Sequence, residues 1–146
     1  MTQSRMRFLA ILVMLAAVAL AAPGAHAQDP VEWEVLRGVD WEYAGGTYTP
    51  VFTDDVEQLN ETTVRIKGYM IPIAVSTDTN RFLLSSQPSQ GCPYCRPGGP
   101  STLIEVRDDE AHEMTYDPLT VTGTLKLLKD GTSRLVYRIV EAEVTL

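Results

Sequence analysis

A ten-residue stretch rich in glycine and proline places the strongest constraint on how this chain can fold. Residues 91–100 read GCPYCRPGGP and include both cysteines of the chain. Proline lacks the backbone N–H donor that a sheet or helix interior needs, and interior glycine weakens strands, so the stretch is predicted to be a loop. Apolar runs at 82–84 and 103–106 flank it, which predicts a rigid loop between two core strands with Cys92 and Cys95 at its tip. The residues predicted to shape this loop are Pro93, Pro97, Gly98, Gly99 and Pro100.

The first 27 residues have the features of a secretory signal peptide. Arg5 and Arg7 form a basic start, residues 8–20 are almost wholly apolar, and Ala25-His26-Ala27 is a typical cleavage site. The apolar run is too short for a membrane span. We therefore expect residues 1–27 to be removed during export to the bacterial periplasm, which leaves a mature protein with no membrane span.

The charge balance argues against nucleic acid as a partner. The whole chain carries 19 acidic residues and a formal net charge of −7, and loss of Arg5 and Arg7 with the signal peptide lowers this charge to −9. An acidic surface of this kind repels phosphate backbones.

The length of the mature chain suits one domain with a modest core. Residues 28–50 are predicted to form an N-terminal arm, and residues 51–146 a single barrel-like domain. The arm holds both tryptophans and the aromatic group Trp41-Glu42-Tyr43. We expect these aromatic side chains to pack on the core, and a ligand platform is the alternative.

One short helix is predicted after residue 52. Thr53 is a suitable N-cap, and acidic residues follow it in the first turn, where the helix dipole favours them. Phe52, Val56 and Leu59 then share one apolar face. The prediction is a helix of about two turns that ends at Asn60 in a left-handed conformation.

The rest of the chain predicts a mainly β fold. Breaks in the apolar alternation at Gly68 and near Val140 indicate bulges or strong bends, and Asp130-Gly131 is a hairpin-turn signal. Five strands with such bends favour a small five-stranded barrel of the OB type, with a β-sandwich as the alternative. The predicted strands are residues 63–73, 81–85, 102–107, 119–128 and 134–146.

Cys92 and Cys95 admit three interpretations. In an oxidising compartment such a pair forms a disulfide. The spacing also suits a metal, with zinc as the candidate cofactor, although a closed zinc site needs four protein ligands. Catalysis of thiol–disulfide exchange is disfavoured, because the sequence Arg-Pro-Gly-Gly-Pro after Cys95 cannot form the helix start that activates such cysteines.

The weaker metal candidates are His112, Asp108 and Asp109. They lie beyond the strand at 102–107, on the order of 20 Å from the cysteines at roughly 3.3 Å per residue, so a site that joins them to the cysteines is disfavoured. The alternative for this acidic run is a solvated turn. With one histidine in the mature chain, no catalytic triad can be assembled, and no catalytic residue is assigned.

Several motifs are distributed along the chain: Trp33-x-x-Leu36, Phe52-x-x-x-Val56-x-x-Leu59, Val64-x-Ile66-x-Gly68-Tyr69-Met70-Ile71-Pro72, Phe82-Leu83-Leu84, Leu103-Ile104-Glu105-Val106 and Val121-x-Gly123-x-Leu125. Together they resemble an exported bacterial family, the domain of unknown function DUF3299. Many members of that family carry a cysteine, a histidine two positions later and then a run of prolines. This chain has Cys92, but Tyr94 stands where the histidine would fall. The resemblance implies an exported accessory role, such as one beside a transport system, and no established reaction.

These observations favour a non-enzymatic periplasmic module that presents a Cys-x-x-Cys loop. It would bind a metal or interact with a protein partner in an envelope or transport system. The first alternative is a protein active in thiol–disulfide exchange. The second is a structural adaptor whose cysteines are locked in a disulfide.

Expression of the full chain in a bacterium with export machinery tests the predicted processing. We expect the intact mass of the exported protein to correspond to residues 28–146, because cleavage follows Ala27. Native and denaturing spectra, recorded with and without reductant, would also report a bound ion or a disulfide. An exported protein that retains Met1 would contradict the prediction.

Overall fold

Seven strands and one short α-helix make up the regular structure of the described residues. The computed structural model describes residues 29–73, 78–89 and 98–146. The signal peptide, Pro93, Pro97 and the two cysteines therefore lie outside the described residues. The strands are β1 (Val39–Ala44), β2 (Thr47–Phe52), β3 (Thr63–Pro72), β4 (Asp78–Ser85), β5 (Leu103–Glu113), β6 (Leu119–Leu127) and β7 (Tyr137–Thr145); the helix is α1 (Asp54–Glu57), and 3-10 turns span Val35–Arg37 and Pro100–Thr102.

Five of these strands close into a barrel in the order β3-β4-β5-β7-β6, and β6 returns to β3. Neighbouring strands are antiparallel except β5 and β7, which pair in parallel at Glu105↔Arg138 and Val106↔Ile139. The predicted mainly β fold with a five-stranded OB-like barrel is confirmed. The β-sandwich alternative is wrong, because the sheet closes on itself.

Every second side chain of a strand points into the barrel, because successive residues of a strand face opposite sides of the sheet. Along β3 the residues Val64, Ile66 and Met70 are buried, while Arg65 and Lys67 between them are exposed. Each fully buried aliphatic or aromatic side chain contributes about 1.5–3 kcal/mol, so this interior is the main source of stability. The largest members of the interior cluster are Ile66, Phe82, Leu84, Ile104, Leu119, Leu125, Tyr137 and Ile139.

Gly68 marks the point where β3 changes partner. Residues 63–68 pair with β6, and residues 69–72 pair with β4. A Cβ atom at Gly68 would lie 2.6 Å from the backbone oxygen of Ser85, so only glycine fits this close approach. The predicted break in alternation at Gly68 is wrong, because the inward pattern continues through it to Met70.

The predicted irregularity near Val140 is confirmed. The register between β6 and β7 shifts between Thr122 and Thr124, and Glu141 has a positive φ of 51°. Two further predictions for β7 need correction. The strand begins at Tyr137 rather than at residue 134, and Asp130-Gly131 lies within the wider loop 128–136 instead of a tight hairpin turn.

The helix is shorter than predicted. It covers only Asp54–Glu57, and the Thr53 side chain makes no capping hydrogen bond. The left-handed residue is Glu61, with a φ of 59°, rather than Asn60. The Asn60 side chain instead accepts a hydrogen bond from the amide of Leu127, at 3.0 Å, which directs this segment toward β6.

The residues before β3 are attached to the barrel at several points. The indole of Trp33 donates to the backbone oxygen of Lys67 at 2.7 Å, and the hydroxyl of buried Tyr137 donates to the backbone oxygen of Leu36 at 2.6 Å. Burial raises the pKa of Tyr137 well above its usual value.

Residues 39–52 form a separate β1–β2 hairpin, which the sequence did not predict, and its Trp41 and Tyr43 remain exposed.

Within the described ranges, no helix combines the length and apolar character needed to cross a membrane.

Gly68→Ala tests the role of the close approach between β3 and β4. We expect the free energy of unfolding to fall by about 1–3 kcal/mol, because the added methyl group overpacks the contact with Ser85. Urea denaturation would measure the change. The matched control is Gly99→Ala, where an added Cβ meets nothing within 4 Å and the expected change is within about 0.5 kcal/mol. Equal effects of the two substitutions would contradict this account.

Candidate functional site

The outer face of β4 and β5 carries an unusual set of side chains. Ile104 and Val106 belong to the barrel interior. Because successive residues of a strand point to opposite faces, Leu103, Glu105 and Arg107 lie on the outer face. Opposite them on β4 the residues are Ser85, Leu83 and Arg81. This outer face therefore passes from apolar to charged along the strands.

Glu105 is the buried carboxylate at the centre of this face, with only 1% of its surface exposed. Arg81 donates through Nε to its Oε1 at 2.6 Å, and Arg107 donates to the same oxygen at 3.2 Å through Nε and Nη2. Arg138 donates through Nε to Oε2 at 2.5 Å. The three arginines come from β4, β5 and β7, so one carboxylate connects three neighbouring strands. We call these four residues the Glu105 cluster.

The three arginines stabilise the ionised form of Glu105. Burial alone would raise its pKa, but hydrogen bonds from Arg138 and Arg81, the charge of Arg138 and a hydrogen bond from Arg107 together outweigh burial. The pKa of Glu105 therefore lies below its ordinary value of 4.5. The carboxylate is ionised at neutral pH, as a carboxylate that accepts several charged hydrogen bonds should be.

A second apolar cluster lies beside the Glu105 cluster on the same outer face. It consists of buried Ile71, Leu83 and Leu103, with the half-buried Leu135 packed against them. Leu135 belongs to the loop between β6 and β7. This loop therefore reaches the outer face of β4 and β5.

A groove of about 610 Å³ opens next to this apolar cluster. One wall is the β1–β2 hairpin, another is the loop 128–136, and the third is the segment that leads into β5. A Cβ at Gly131, whose φ is +66°, would lie 2.4 Å from the backbone oxygen of Tyr48, so glycine lets the loop approach the hairpin this closely. The lining of the groove includes Trp41, Tyr48, Leu103, Arg134 and Leu135.

The groove also borders the predicted cysteine loop. Gly98, Gly99 and Pro100, all predicted to shape that loop, line the groove. Gly98 has a φ of +83° and lies against Thr102, so its conformation favours glycine. Cys92 and Cys95 lie outside the described residues, and their prediction as a disulfide or metal pair stays a prediction.

His112 and Asp108 lie at the opposite end of β5. The imidazole Nε2 is 2.6 Å from Oδ2 of Asp108, and the other carboxylate oxygen, Oδ1, accepts from the amide of Glu110 at 2.9 Å. His112 pairs with Thr79, whereas Leu103 pairs with Ser85. Six steps along β4 separate these pairs, which is about 20 Å at roughly 3.3 Å per residue. The structure thus keeps His112 far from the groove.

Asp109 is exposed and lines a separate cleft of about 560 Å³, together with His112, Asp108, Glu141 and Glu143. Although acidic side chains are frequent there, in the part of the chain that the structure describes no group of three or more His, Cys, Asp or Glu is arranged to hold a metal ion.

The sequence alone did not lead to the Glu105 cluster or to the groove. Glu105 interrupts the apolar run Leu103-Ile104-Glu105-Val106, and a charged residue inside a strand that is otherwise buried indicates a partner of opposite charge. Arginines in the neighbouring strands supplied such partners. The groove had no comparable signal, because hairpin and loop residues far apart in sequence form it.

The structure is that of a small β-barrel protein with a groove beside its outer face. A family model described as "Protein of unknown function (DUF3299)" matches residues 47–145, and the chain belongs to this family. The resemblance predicted from the motifs is confirmed.

Among solved structures, a DUF3299 family protein from Pseudomonas aeruginosa PAO1 is similar, with 24% identity and a TM-score of 0.51. The match covers 66% of this chain and 66% of that protein, and it supports the fold. Comparison with curated proteins found no match.

Glu105→Gln tests the contribution of the buried carboxylate. Because the folded-state pKa of Glu105 is lowered, its contribution to stability is complete above the ordinary value of 4.5 and is lost as pH falls through the lowered pKa. We expect the variant to be less stable than wild type by about 2–4 kcal/mol at neutral pH. This difference should shrink as the pH falls below 4.5. Denaturant titrations across a pH series would measure it.

The control for this experiment is Glu61→Gln. Glu61 pairs with Lys126 at 3.0 Å, but both side chains are largely exposed, so the expected change is about 0–1 kcal/mol. A stability difference for Glu105→Gln that grows as the pH falls would contradict the assignment.

Proposed function

We propose that this chain is a non-enzymatic interaction module of the bacterial envelope. It carries the predicted Cys-x-x-Cys loop, and its groove binds a segment of a protein partner. The observation that carries the proposal is the groove, which three parts of the chain form together and which Gly98, Gly99 and Pro100 border.

The chemistry of the groove suits binding better than catalysis. Its volume falls within the range of about 300–1,000 Å³ that is usual for ligand sites. Trp41, Tyr48, Leu103 and Leu135 supply apolar and aromatic surface, while Arg134 is the charged residue among the described lining. Aromatic and arginine side chains of this kind are frequent at the centres of protein interfaces.

The signal-peptide pattern supports a periplasmic location, and the partner is then an envelope or transport-system protein. The metal-binding alternative within this proposal is that Cys92 and Cys95 bind zinc. A closed zinc site needs four ligands, and His112 and Asp108 lie at the far end of β5. For this reason we give protein interaction the leading place.

Selection from a library of random peptides tests the proposal even though the partner is unidentified. Peptides of about 12 residues, which span about 40 Å when extended, would be selected on the purified exported protein. We expect enrichment of peptides that bind wild type and lose roughly tenfold or more in affinity for Trp41→Ala, because the exposed indole of Trp41 lines the groove. Fluorescence anisotropy would measure the affinities.

The matched control is Tyr116→Ala, which removes an exposed aromatic residue that does not line the groove. Its affinity for the selected peptides should equal that of wild type. Failure to enrich any peptide, or equal losses for both variants, would refute the groove as an interaction site.

A further inference from the structure

We propose that the partner segment is acidic, and that its carboxylates bind the arginines of the Glu105 cluster while a neighbouring apolar side chain enters the groove. This inference rests on the proposed function and specifies the chemistry of the ligand.

The Glu105 cluster has more positive than negative charge. Three guanidinium groups surround one carboxylate, so the cluster carries two uncompensated positive charges on a chain whose formal net charge is −7. The cations are also accessible: the side chains of Arg81 and Arg107 are 57% and 45% exposed. A positive patch on a protein of negative net charge attracts an anionic ligand specifically to that patch.

The contacts to Glu105 leave donors for a second anion. An arginine has five N–H donors, and Arg138 contacts Glu105 through Nε alone. Arg81 and Arg107 each use Nε and Nη2, which leaves Nη1 of each guanidinium outside these contacts. Glu105 also holds the three side chains in place, so less conformational entropy is lost when a ligand carboxylate binds.

The spacing of the outer face matches an extended peptide. Leu103, Glu105 and Arg107 repeat every second residue along β5, which places Leu103 and Arg107 about 13 Å apart at roughly 3.3 Å per residue. Leu103 belongs both to the groove and to the apolar cluster on this face. An extended segment with an apolar residue near Leu103 and acidic residues a few positions away would therefore meet both parts of the surface.

The charge of the whole protein favours such a segment over a polyanion. Nucleic acid and anionic membranes carry dense negative charge that extends far beyond the patch, and the negative net charge of the whole chain, −7, repels it. A segment with two or three carboxylates contacts the patch alone.

The composition of the peptides selected from the random library tests the inference. We expect Asp and Glu to be enriched a few positions from an apolar residue. Synthetic versions with Asn and Gln in place of the acids should bind roughly tenfold more weakly to wild type, the order expected for loss of one charge-assisted hydrogen bond. Their affinity should also depend less on salt concentration.

Two arginine substitutions test whether the acidic peptide binds at the Glu105 cluster. Arg81→Gln and Arg107→Gln should each weaken binding of the acidic peptide roughly tenfold while leaving binding of the neutral version unchanged. Arg65→Gln is the matched control, since it removes the same charge from an exposed position on β3 and should have no effect.

The possible results separate the two proposals. Selected peptides that bind the groove but show no acidic enrichment would overturn this inference and leave the interaction module intact. A complete failure of selection would overturn both. Tighter binding of single-stranded DNA or of phosphatidylglycerol vesicles than of the acidic peptide, with the same loss in Arg81→Gln, would show that the patch serves a different partner and would also overturn the inference.

Discussion

The parallel pairing of β5 with β7 closes the barrel, and Glu105 lies at that pairing. The register consists of Glu105↔Arg138 and Val106↔Ile139, so few backbone contacts hold the closure. The carboxylate of Glu105 adds side-chain contacts from β5 to Arg138 on β7 and to Arg81 on β4. Burial of a carboxylate is costly unless several partners compensate, which accounts for the presence of three arginines. The contacts of Glu105 therefore support the pairing of β5 with β7, and they also explain why three arginines lie on the outer face.

The same closure determines where the groove can form. Once β5 and β7 are adjacent, the loop 128–136 that precedes β7 lies over the outer face of β4 and β5, and Leu135 packs on Ile71, Leu83 and Leu103. Gly131 then permits the close approach to Tyr48, which brings the β1–β2 hairpin to the opposite wall. The segment that follows the cysteines supplies the remaining wall through Gly98 and Pro100. A ligand in the groove would therefore lie next to the end of the predicted cysteine loop.

Much of the barrel was predictable because strand alternation is a local signal. The alternating pattern around Val64 and Val121 identified strands in nearly the observed positions, and the irregularity near Val140 was visible as a change of phase. The predicted change of phase at Gly68 was wrong. This glycine allows a close contact with Ser85, and the spacing of residues in the sequence does not reveal that contact. The hairpin of β1 and β2 was not predicted, because the aromatic residues of this segment were expected to pack on the core as part of an N-terminal arm.

The candidate site was less predictable than the fold. The groove depends on contacts between residues such as Trp41 and Leu135, which are far apart along the chain and show no shared pattern. The sequence pointed instead to the cysteines, which lie outside the described residues, and to His112, which the structure places at the other end of β5. The sequence identified residue types with reactive side chains, whereas the groove arises from packing between residues that are far apart in the chain.

Mapping of backbone amide shifts by NMR would show whether a peptide binds the outer face of β4 and β5 and the adjoining groove. The exported protein, labelled with nitrogen-15, would be titrated with a peptide selected from the random library. We expect the largest shifts on the outer face of β4 and β5 and in the loop that carries Arg134 and Leu135. Shifts confined to the acidic cleft around Asp108 and His112 would contradict binding at this surface.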